Sequence, residues 1–220
     1  MPKIGVILAG CGFKDGAEIH EATFTLLELN RRGAQYVCCA PNANVKQVID
    51  HQTGAPAGET RNILKEAARI ARSEITDVAK VRAAELDALI LPGGFGAARN
   101  LCSFADEGPE CSVNPDVEKL VGDMLAAKKP IGAICIAPAL LARVCGKRGV
   151  KAKLTIGDDA GTARAIEAMG CAHENCAVDE CCVDAAHKIV TTPAYMLGPG
   201  PAAIHAGIAK LVENVLKLVG

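Results

Sequence analysis

The 220 residues of this chain carry 24 basic and 25 acidic side chains, and half of all residues are hydrophobic. An apolar content of this size can fill the core of one compact domain spanning residues 1–220. The balanced charge, the absence of a basic block and the low aromatic content disfavour nucleic acid or an anionic membrane as a partner. We therefore expect small, neutral partners.

The segment Met1–Gly10 predicts a first strand rather than a signal or membrane segment. Its apolar run follows a single basic residue and is too short to span a bilayer. Eleven cysteines make an odd number, and without a secretory signal we expect reduced thiols instead of a disulfide framework. These features together predict a cytoplasmic protein.

Short apolar runs alternate with longer helical patterns along the chain. This alternation is typical of a mostly parallel sheet with helices on both faces. The sequence therefore predicts an α/β fold of the flavodoxin-like, three-layer type. The predicted strands are Ile4–Leu8, Tyr36–Ala40, Ala88–Leu91, Ile131–Ile134 and Ile189–Thr192.

The ends of the predicted helices carry recognisable signals. Asp15 followed by Glu18 resembles a capping box, and Asn114-Pro115 resembles an N-cap followed by a proline at the first helical position. Gly33 and Gly170 each stand where a helix is expected to have just ended. These signals agree with the helical stretches that the apolar pattern predicts.

Two segments depart from the alternation of strands and helices. In Val178–Val190, two short runs joined by residues 184–188 predict a β-hairpin added to the sheet. The polar, turn-rich segment Asn42–Gly58 predicts a long loop with room for one or two short strands. Function is therefore expected in the loops at the carboxyl ends of the strands, where open α/β sheets bind ligands.

Cys135 is the strongest candidate for chemistry in those loops. It follows a predicted strand and precedes a helix that begins near Ile136, whose N-terminal dipole and free N–H groups favour a thiolate. Taken alone, Cys135 is equally well explained as one more buried thiol. The nearby glycines 93, 94 and 96 favour the catalytic interpretation, because the N–H of Gly94 or Phe95 could join that of Ile136 in an oxyanion hole.

Two other motifs carry less weight. The spacing Gly10-x-Gly12-x-x-x-Gly16 differs from a dinucleotide fingerprint and no ribose-binding acid follows the second strand, so we keep Gly12 as a pocket residue and predict no nucleotide cofactor. Cysteines and a histidine cluster within residues 171–182, yet the chain has no Cys-x-x-Cys pair. We therefore predict no metal site.

In combination, these segments resemble the PfpI-like, class I glutamine amidotransferase-like superfamily, and within it the ElbB group of isoprenoid-biosynthesis-associated glyoxalases. The resemblance covers essentially the whole chain, and no one of its motifs would be specific alone. The segments that carry it are Gly10–Gly12, Asp15–Glu21, Leu91–Leu101, Cys135–Pro138 and Thr191–Met196.

The resemblance implies an enzyme that converts glyoxal to glycolate without glutathione, metal or other cofactor, with methylglyoxal and glycated groups as further candidate substrates. It implies a homodimer, a Cys135 nucleophile that forms a hemithioacetal, and a carboxylic acid from the first helix against the sulfur. Alignment of residues 17–21 with the superfamily motif assigns that acid to Glu21, which would move a proton between adjacent carbons. Glu18, one helical turn away, is the fallback.

The chain departs from the superfamily pattern in its histidines. Ile136, rather than a histidine, follows Cys135, and residues 153–159 contain none, which disfavours protease chemistry. Glutamine amidotransferase chemistry is disfavoured because no His-x-Glu occurs. Of the remaining histidines, His20 is predicted to line the pocket or to be structural. His51, in the turn-rich loop, could cover the site or be solvated, and the sequence favours the second interpretation.

A second hypothesis uses the same residues without catalysis. In it the protein is a redox sensor or a regulatory binding protein, and Cys135 is oxidised to a sulfinate that Glu21 stabilises by a hydrogen bond. Multiple turnover with glyoxal separates the two hypotheses.

Overall fold

A computed structural model describes residues 1–220, and its centre is a seven-stranded sheet. Six strands run parallel, and the hairpin strand at one edge is antiparallel to its neighbour. A separate pair of two-residue strands, β6 and β7, lies outside this sheet. The strands are β1 (Lys3–Ile7), β2 (Gln35–Ala40), β3 (Ile75–Asp77), β4 (Ala88–Leu91), β5 (Ile131–Ile134), β6 (Lys153–Leu154), β7 (Ala172–His173), β8 (Cys182–Asp184) and β9 (Ile189–Thr192).

Eight helices flank the sheet and complete a flavodoxin-like sandwich. They are α1 (Ile19–Arg31), α2 (Ile63–Ile70), α3 (Phe95–Arg99), α4 (Phe104–Glu107), α5 (Pro115–Ala126), α6 (Ala137–Lys147), α7 (Ala160–Ala168) and α8 (Pro201–Val219). Helix α1 packs against α8, and α5 packs against α6. None of the helices combines the length and the apolar character needed to cross a bilayer.

The sheet order is β3-β2-β1-β4-β5-β9-β8, so β1, β4 and β5 occupy the middle. All residues of β4, β5 and β9 are buried, because helices cover both faces of these strands. The loops that follow β1, β4 and β5 therefore converge at the carboxyl edge of the sheet.

The predicted α/β fold is confirmed, and so are all five strands and the hairpin. Each observed strand lies within one residue of its predicted bounds, and β8 pairs with β9 in antiparallel fashion. The segment 42–58 forms a loop with two isolated bridges, Asn44 to Asn62 and Ile49 to Pro56, and no strand. Strands β3, β6 and β7 were not predicted, because two or three residues are too few to carry a periodic apolar signal.

The helix-end predictions are confirmed with one exception. Asn114 caps α5, and Gly33 and Gly170 have positive φ values of 69° and 92° just after α1 and α7. The predicted capping box at Asp15 is wrong, because α1 begins at Ile19 and is capped by Glu18. Asp15 instead accepts a hydrogen bond from the N–H of Ile49 (2.8 Å), which ties the loop after β1 to the long loop.

Candidate active site

Cys135 stands at a sharp turn between β5 and α6. Its φ of 61° lies in the left-handed region, which is costly for a residue with a side chain. The N–H of Cys135 donates to the carbonyl of Thr192 (2.9 Å), so the neighbouring strand β9 holds the strained residue in place. The residue is 7% exposed. The structure therefore has the strand-to-helix elbow that the sequence predicts.

Glu21 is fully buried on α1 and contacts the Cys135 thiol. Its Oε2 accepts a hydrogen bond from the N–H of Gly93 (2.9 Å), and its Oε1 accepts a longer one from the N–H of Tyr195 (3.4 Å). Burial raises the pKa of Glu21 to about 8, the nearby Glu18 carboxylate adds to this rise, and the hydrogen bonds oppose it. No cation is among the groups that act on Glu21.

Gly93 is a glycine because the cysteine and the carboxylate approach each other beside it. A Cβ at this position would lie 2.5 Å from the Cβ of Cys135 and 2.8 Å from Oε2 of Glu21. Distances this short are incompatible with any larger residue. The loop after β4 therefore sets the spacing between the two reactive groups.

Two main-chain N–H groups face the Cys135 sulfur, one from Gly94 and one from Ile136. They come from the loop after β4 and from the start of α6, as the predicted oxyanion hole requires. The alternative prediction, that the N–H of Phe95 contributes to the oxyanion hole, is wrong, because this N–H donates to the carbonyl of Phe13 (2.7 Å). The site thus has a pair of N–H donors at the sulfur.

The pKa of Cys135 is raised well above its usual range, first because the thiol is buried and second because it faces Glu21. The N–H groups of Gly94 and Ile136 act in the opposite direction and do not prevail. The N–H group at the start of α6 therefore favours a thiolate as expected, but burial and Glu21 outweigh it. When Glu21 is protonated, its charge no longer opposes a thiolate, so the ionisation of Cys135 is coupled to the proton on Glu21.

Glu18 caps α1 and does not share the place of Glu21. Its Oε2 accepts a hydrogen bond from the N–H of Glu21 (2.7 Å), which satisfies a free donor in the first helical turn. It is not among the groups that act on Cys135. The fallback role for Glu18 is therefore not supported, and Glu18 acts through its charge on Glu21.

His20 lies exposed next to Glu21 and contacts Tyr195. Its Nδ1 is 2.6 Å from the hydroxyl of Tyr195, and its ring stacks with Phe24 at a centroid distance of 6.0 Å. Because the N–H of Tyr195 binds Glu21, His20 reaches the buried carboxylate through one residue. Sequence analysis assigned no role to Tyr195, and the only earlier sign was its place in the segment Thr191–Met196.

Gly12 and His51 meet above the loop that follows β1. Gly12 has a φ of 118°, and a Cβ there would lie 2.5 Å from Nε2 of His51. The His51 ring packs edge-on against Phe13 at 5.6 Å, and its Nε2 accepts a hydrogen bond from the N–H of Lys14 (3.3 Å). The side chain of His51 is 37% exposed, so it is solvated as predicted, and it also anchors the long loop.

The cysteine-rich segment 171–182 contributes no metal-binding cluster. No three His, Cys, Asp or Glu side chains anywhere in the chain stand close enough to hold a metal ion. All eleven cysteines are unpaired.

Comparisons with known proteins point to one family. The model of the DJ-1/PfpI family matches residues 10–192. The human protein named "Glutamine amidotransferase-like class 1 domain-containing protein 3, mitochondrial" is 47% identical, over 99% of this chain and 84% of its own length.

Solved structures agree with that match. An isoprenoid biosynthesis protein with an amidotransferase-like domain from Ehrlichia chaffeensis is 37% identical over the full length of both chains, with a TM-score of 0.95. Drosophila melanogaster DJ-1beta shares the fold at 20% identity, with a TM-score of 0.57 over 99% of this chain and 95% of its own.

Proposed function

The chain belongs to the DJ-1/PfpI family, and we propose that it is a glutathione-independent glyoxalase that converts glyoxal to glycolate. The observation that carries this proposal is the buried pair of Cys135 and Glu21, with the N–H groups of Gly94 and Ile136 at the sulfur. The likeness to the Ehrlichia isoprenoid biosynthesis protein supports a place in the ElbB group.

The first step forms a carbon–sulfur bond. The Cys135 sulfur attacks one aldehyde carbon of glyoxal as its proton passes to the Glu21 carboxylate, and the carbonyl electron pair moves to oxygen. The N–H groups of Gly94 and Ile136 are the donors available to that oxygen. Glu21 then gives that proton to the new oxyanion, which completes a hemithioacetal on Cys135 and returns Glu21 to its carboxylate form.

The second step moves a proton between adjacent carbons. Glu21 removes the C–H proton of the hemithioacetal carbon and returns a proton to the neighbouring carbon, which leaves a glycolyl thioester on Cys135. A group with a pKa of about 8 exists in both protonation states near neutral pH, as a group that accepts and donates must. Water then cleaves the thioester, releasing glycolate and the free thiol.

The same steps apply to methylglyoxal, with lactate as product, and a deglycase activity would use the same thiol. None of these steps requires glutathione, a metal ion or an organic cofactor, because the chain's own groups supply the nucleophile, the proton carrier and the N–H donors.

The test is glycolate formation from glyoxal by purified protein, treated with a chelator and assayed without glutathione. We expect sustained turnover that Cys135→Ala reduces by about 1,000-fold or more. Cys145→Ala is the matched control, since Cys145 is a buried thiol on α6 outside the site. A Cys135→Ala variant that keeps the wild-type rate would exclude the proposed mechanism.

A redox sensor or regulatory binding protein is the second candidate function. Glu21 and the two N–H donors surround the sulfur, and they would hydrogen-bond to a Cys135 sulfinate formed with two equivalents of hydrogen peroxide, which are reduced to water. The raised pKa of Cys135 disfavours this candidate, because the thiolate is the form that peroxide oxidises. Stoichiometric oxidation without any glyoxal turnover would favour the sensor.

The proposal includes a reducing compartment and a homodimer. Eleven unpaired cysteines fit the cytoplasm, whereas the human relative is named as mitochondrial. Light scattering of the purified protein tests the dimer, and a fluorescent fusion in the source cell tests the compartment. Nucleic acid and membranes are not among the proposed partners.

A further inference from the structure

Three of the six large apolar side chains that the protein exposes belong to the segments that form the candidate site. Phe13 is 46% exposed, Ile19 is 44% exposed and Phe95 is 53% exposed. The chain has four phenylalanines in all. Exposure of Phe13 and Phe95 gives up the hydrophobic stabilisation that their burial would provide. Neighbouring exposed apolar side chains often mark a binding surface.

These three residues, here termed the apolar rim, are tied to the catalytic groups by the main chain. Phe95 directly follows Gly94, whose N–H faces the Cys135 sulfur, and Phe95 is joined to Phe13 by a main-chain hydrogen bond (2.7 Å). Ile19 is the first residue of α1, two positions before Glu21. The rim therefore borders Cys135 through the loops after β1 and β4 and through the start of α1.

The charges near the rim are acidic. Glu18 and Glu21 are the ionisable side chains that act on each other there, and no cation acts on either Glu21 or Cys135. Lys14 is the basic neighbour, and its Nζ lies 5.5 Å from the centre of the Phe13 ring. A substrate carboxylate would meet no cationic partner at the sulfur and would be repelled by Glu18.

We propose that the apolar rim selects uncharged α-dicarbonyl compounds with an apolar or aromatic substituent over anionic carbonyl compounds. This inference rests on the proposed glyoxalase function and names its substrate class. One carbonyl carbon reacts with Cys135 while the substituent covers the exposed faces of Phe13 and Phe95. Phenylglyoxal is the probe for the selected class, and 4,5-dioxopentanoate, an α-ketoaldehyde that also carries a carboxylate, is the probe for the excluded class.

The experiment compares kcat/KM for phenylglyoxal, glyoxal and 4,5-dioxopentanoate in the wild type, Phe95→Ser and Tyr36→Ser. Tyr36 is the matched control, because it is 41% exposed and stands at the opposite end of the sheet, beside Ile4. We expect wild type to prefer phenylglyoxal to glyoxal by about tenfold, as burial of part of one ring allows. Phe95→Ser should lose that preference, Tyr36→Ser should keep it, and 4,5-dioxopentanoate should be turned over far more slowly than phenylglyoxal.

Two results would contradict substrate selection by the apolar rim while leaving the proposed glyoxalase function intact. One is wild-type turnover of 4,5-dioxopentanoate at a rate similar to that of phenylglyoxal. The other is an unchanged phenylglyoxal preference in Phe95→Ser. If that variant keeps the preference but changes the molar mass of the protein in solution, Phe95 belongs to a self-association face and not to a substrate contact.

If wild type turns over no dicarbonyl, the proposed function fails and the rim is tested by alkylation. Cys135 is labelled with phenacyl bromide or iodoacetate, each rate is divided by that of free cysteine, and the modified peptide is identified by mass spectrometry. A selective rim predicts a normalised rate about tenfold higher for phenacyl bromide, lost in Phe95→Ser. Equal normalised rates would contradict it.

Discussion

Two buried glutamates on α1 show how the same residue serves two purposes. Glu21 is fully buried and Glu28, two helical turns further along the same face, is 3% exposed. Three basic side chains contact Glu28. Its Oε1 lies 2.8 Å from Nε2 of His205 and 3.2 Å from Nη1 of Arg31, and its Oε2 pairs with Arg32. Glu21 has main-chain N–H groups, a thiol and no cation.

The difference lies in how each buried charge is compensated. Two arginines balance the charge of Glu28, and the hydrogen bond between Glu28 and His205 joins α1 to α8. Hydrogen bonds from neutral groups do not balance the charge of Glu21, so burial raises its pKa to about 8. We therefore propose that Glu28 is a structural carboxylate and that Glu21 exchanges a proton with Cys135.

The largest expected effect is on the pH dependence of stability. Because folding raises the pKa of Glu21 from 4.5 to about 8, the folded protein keeps a proton that the unfolded chain releases, so stability falls as pH rises across this range and levels off above it. Glu21→Gln removes that term, which is on the order of 5 kcal/mol.

Urea unfolding of both proteins at pH 5 and pH 9 measures this term. The free energy of unfolding of wild type should fall relative to Glu21→Gln between the two values, and any constant cost of the amide cancels. Parallel pH curves for the two proteins would show that Glu21 is not protonated in the fold.

The next effect concerns Gly93, which donates to Glu21 and has no counterpart at Glu28. In Gly93→Ala, the added Cβ would lie 2.5 Å from that of Cys135, so the thiol and the carboxylate must move apart. We expect a loss of about 100-fold in kcat/KM with glyoxal, since small misplacements of reacting groups are costly. Gly161→Ala is the control, because Gly161 lies in the first turn of α7 without a positive φ and a Cβ there would meet no atom closer than Oδ1 of Asp159 at 3.4 Å. Equal losses in the two variants would contradict the spacing role.

Glu28→Gln should act on stability. Removal of one member of a buried ion cluster leaves Arg32 and His205 without their anionic partner, and we expect a loss of about 2 kcal/mol by urea unfolding at pH 7. Glu213, which is 47% exposed and lies 3.8 Å from Arg32, provides the control. Glu213→Gln should leave stability close to that of wild type, because exposed ion pairs contribute little. Similar values for both variants would place Glu28 among ordinary surface charges.

The smallest effect is expected at Tyr195. Tyr195→Phe keeps the N–H that binds Glu21 and removes the hydroxyl that holds His20 at 2.6 Å. Loss of one exposed hydrogen bond should lower kcat/KM by about threefold. A loss as large as that of Glu21→Gln would instead make the Tyr195 hydroxyl a direct participant in proton transfer.

The sequence predicts the strands well because β4, β5 and β9 are buried on both faces and therefore read as continuous apolar runs. The strand-to-helix elbow was also predictable, because Cys135 stands between such a strand and a helical pattern. Strand β3 escaped prediction because three half-buried residues carry no period.

The details of the site depend on contacts between distant segments. The sequence allowed the N–H of Phe95 as an oxyanion-hole donor, but in the fold this N–H donates to the carbonyl of Phe13. Helix geometry favoured a Cys135 thiolate, whereas burial beside Glu21 reversed the direction of the pKa shift. Tyr195 acts on Glu21 through a main-chain N–H, which no side-chain pattern can reveal.

The central claim is that Glu21, and not burial of a carboxylate on α1 in general, carries the proton chemistry of Cys135. The most direct test is steady-state glycolate formation from glyoxal at pH 7 by Glu21→Gln and Glu28→Gln, each measured at a temperature where it is folded. We predict that Glu21→Gln loses about 100-fold or more in kcat, while Glu28→Gln stays close to wild type. Equal activities in the two variants would contradict the account.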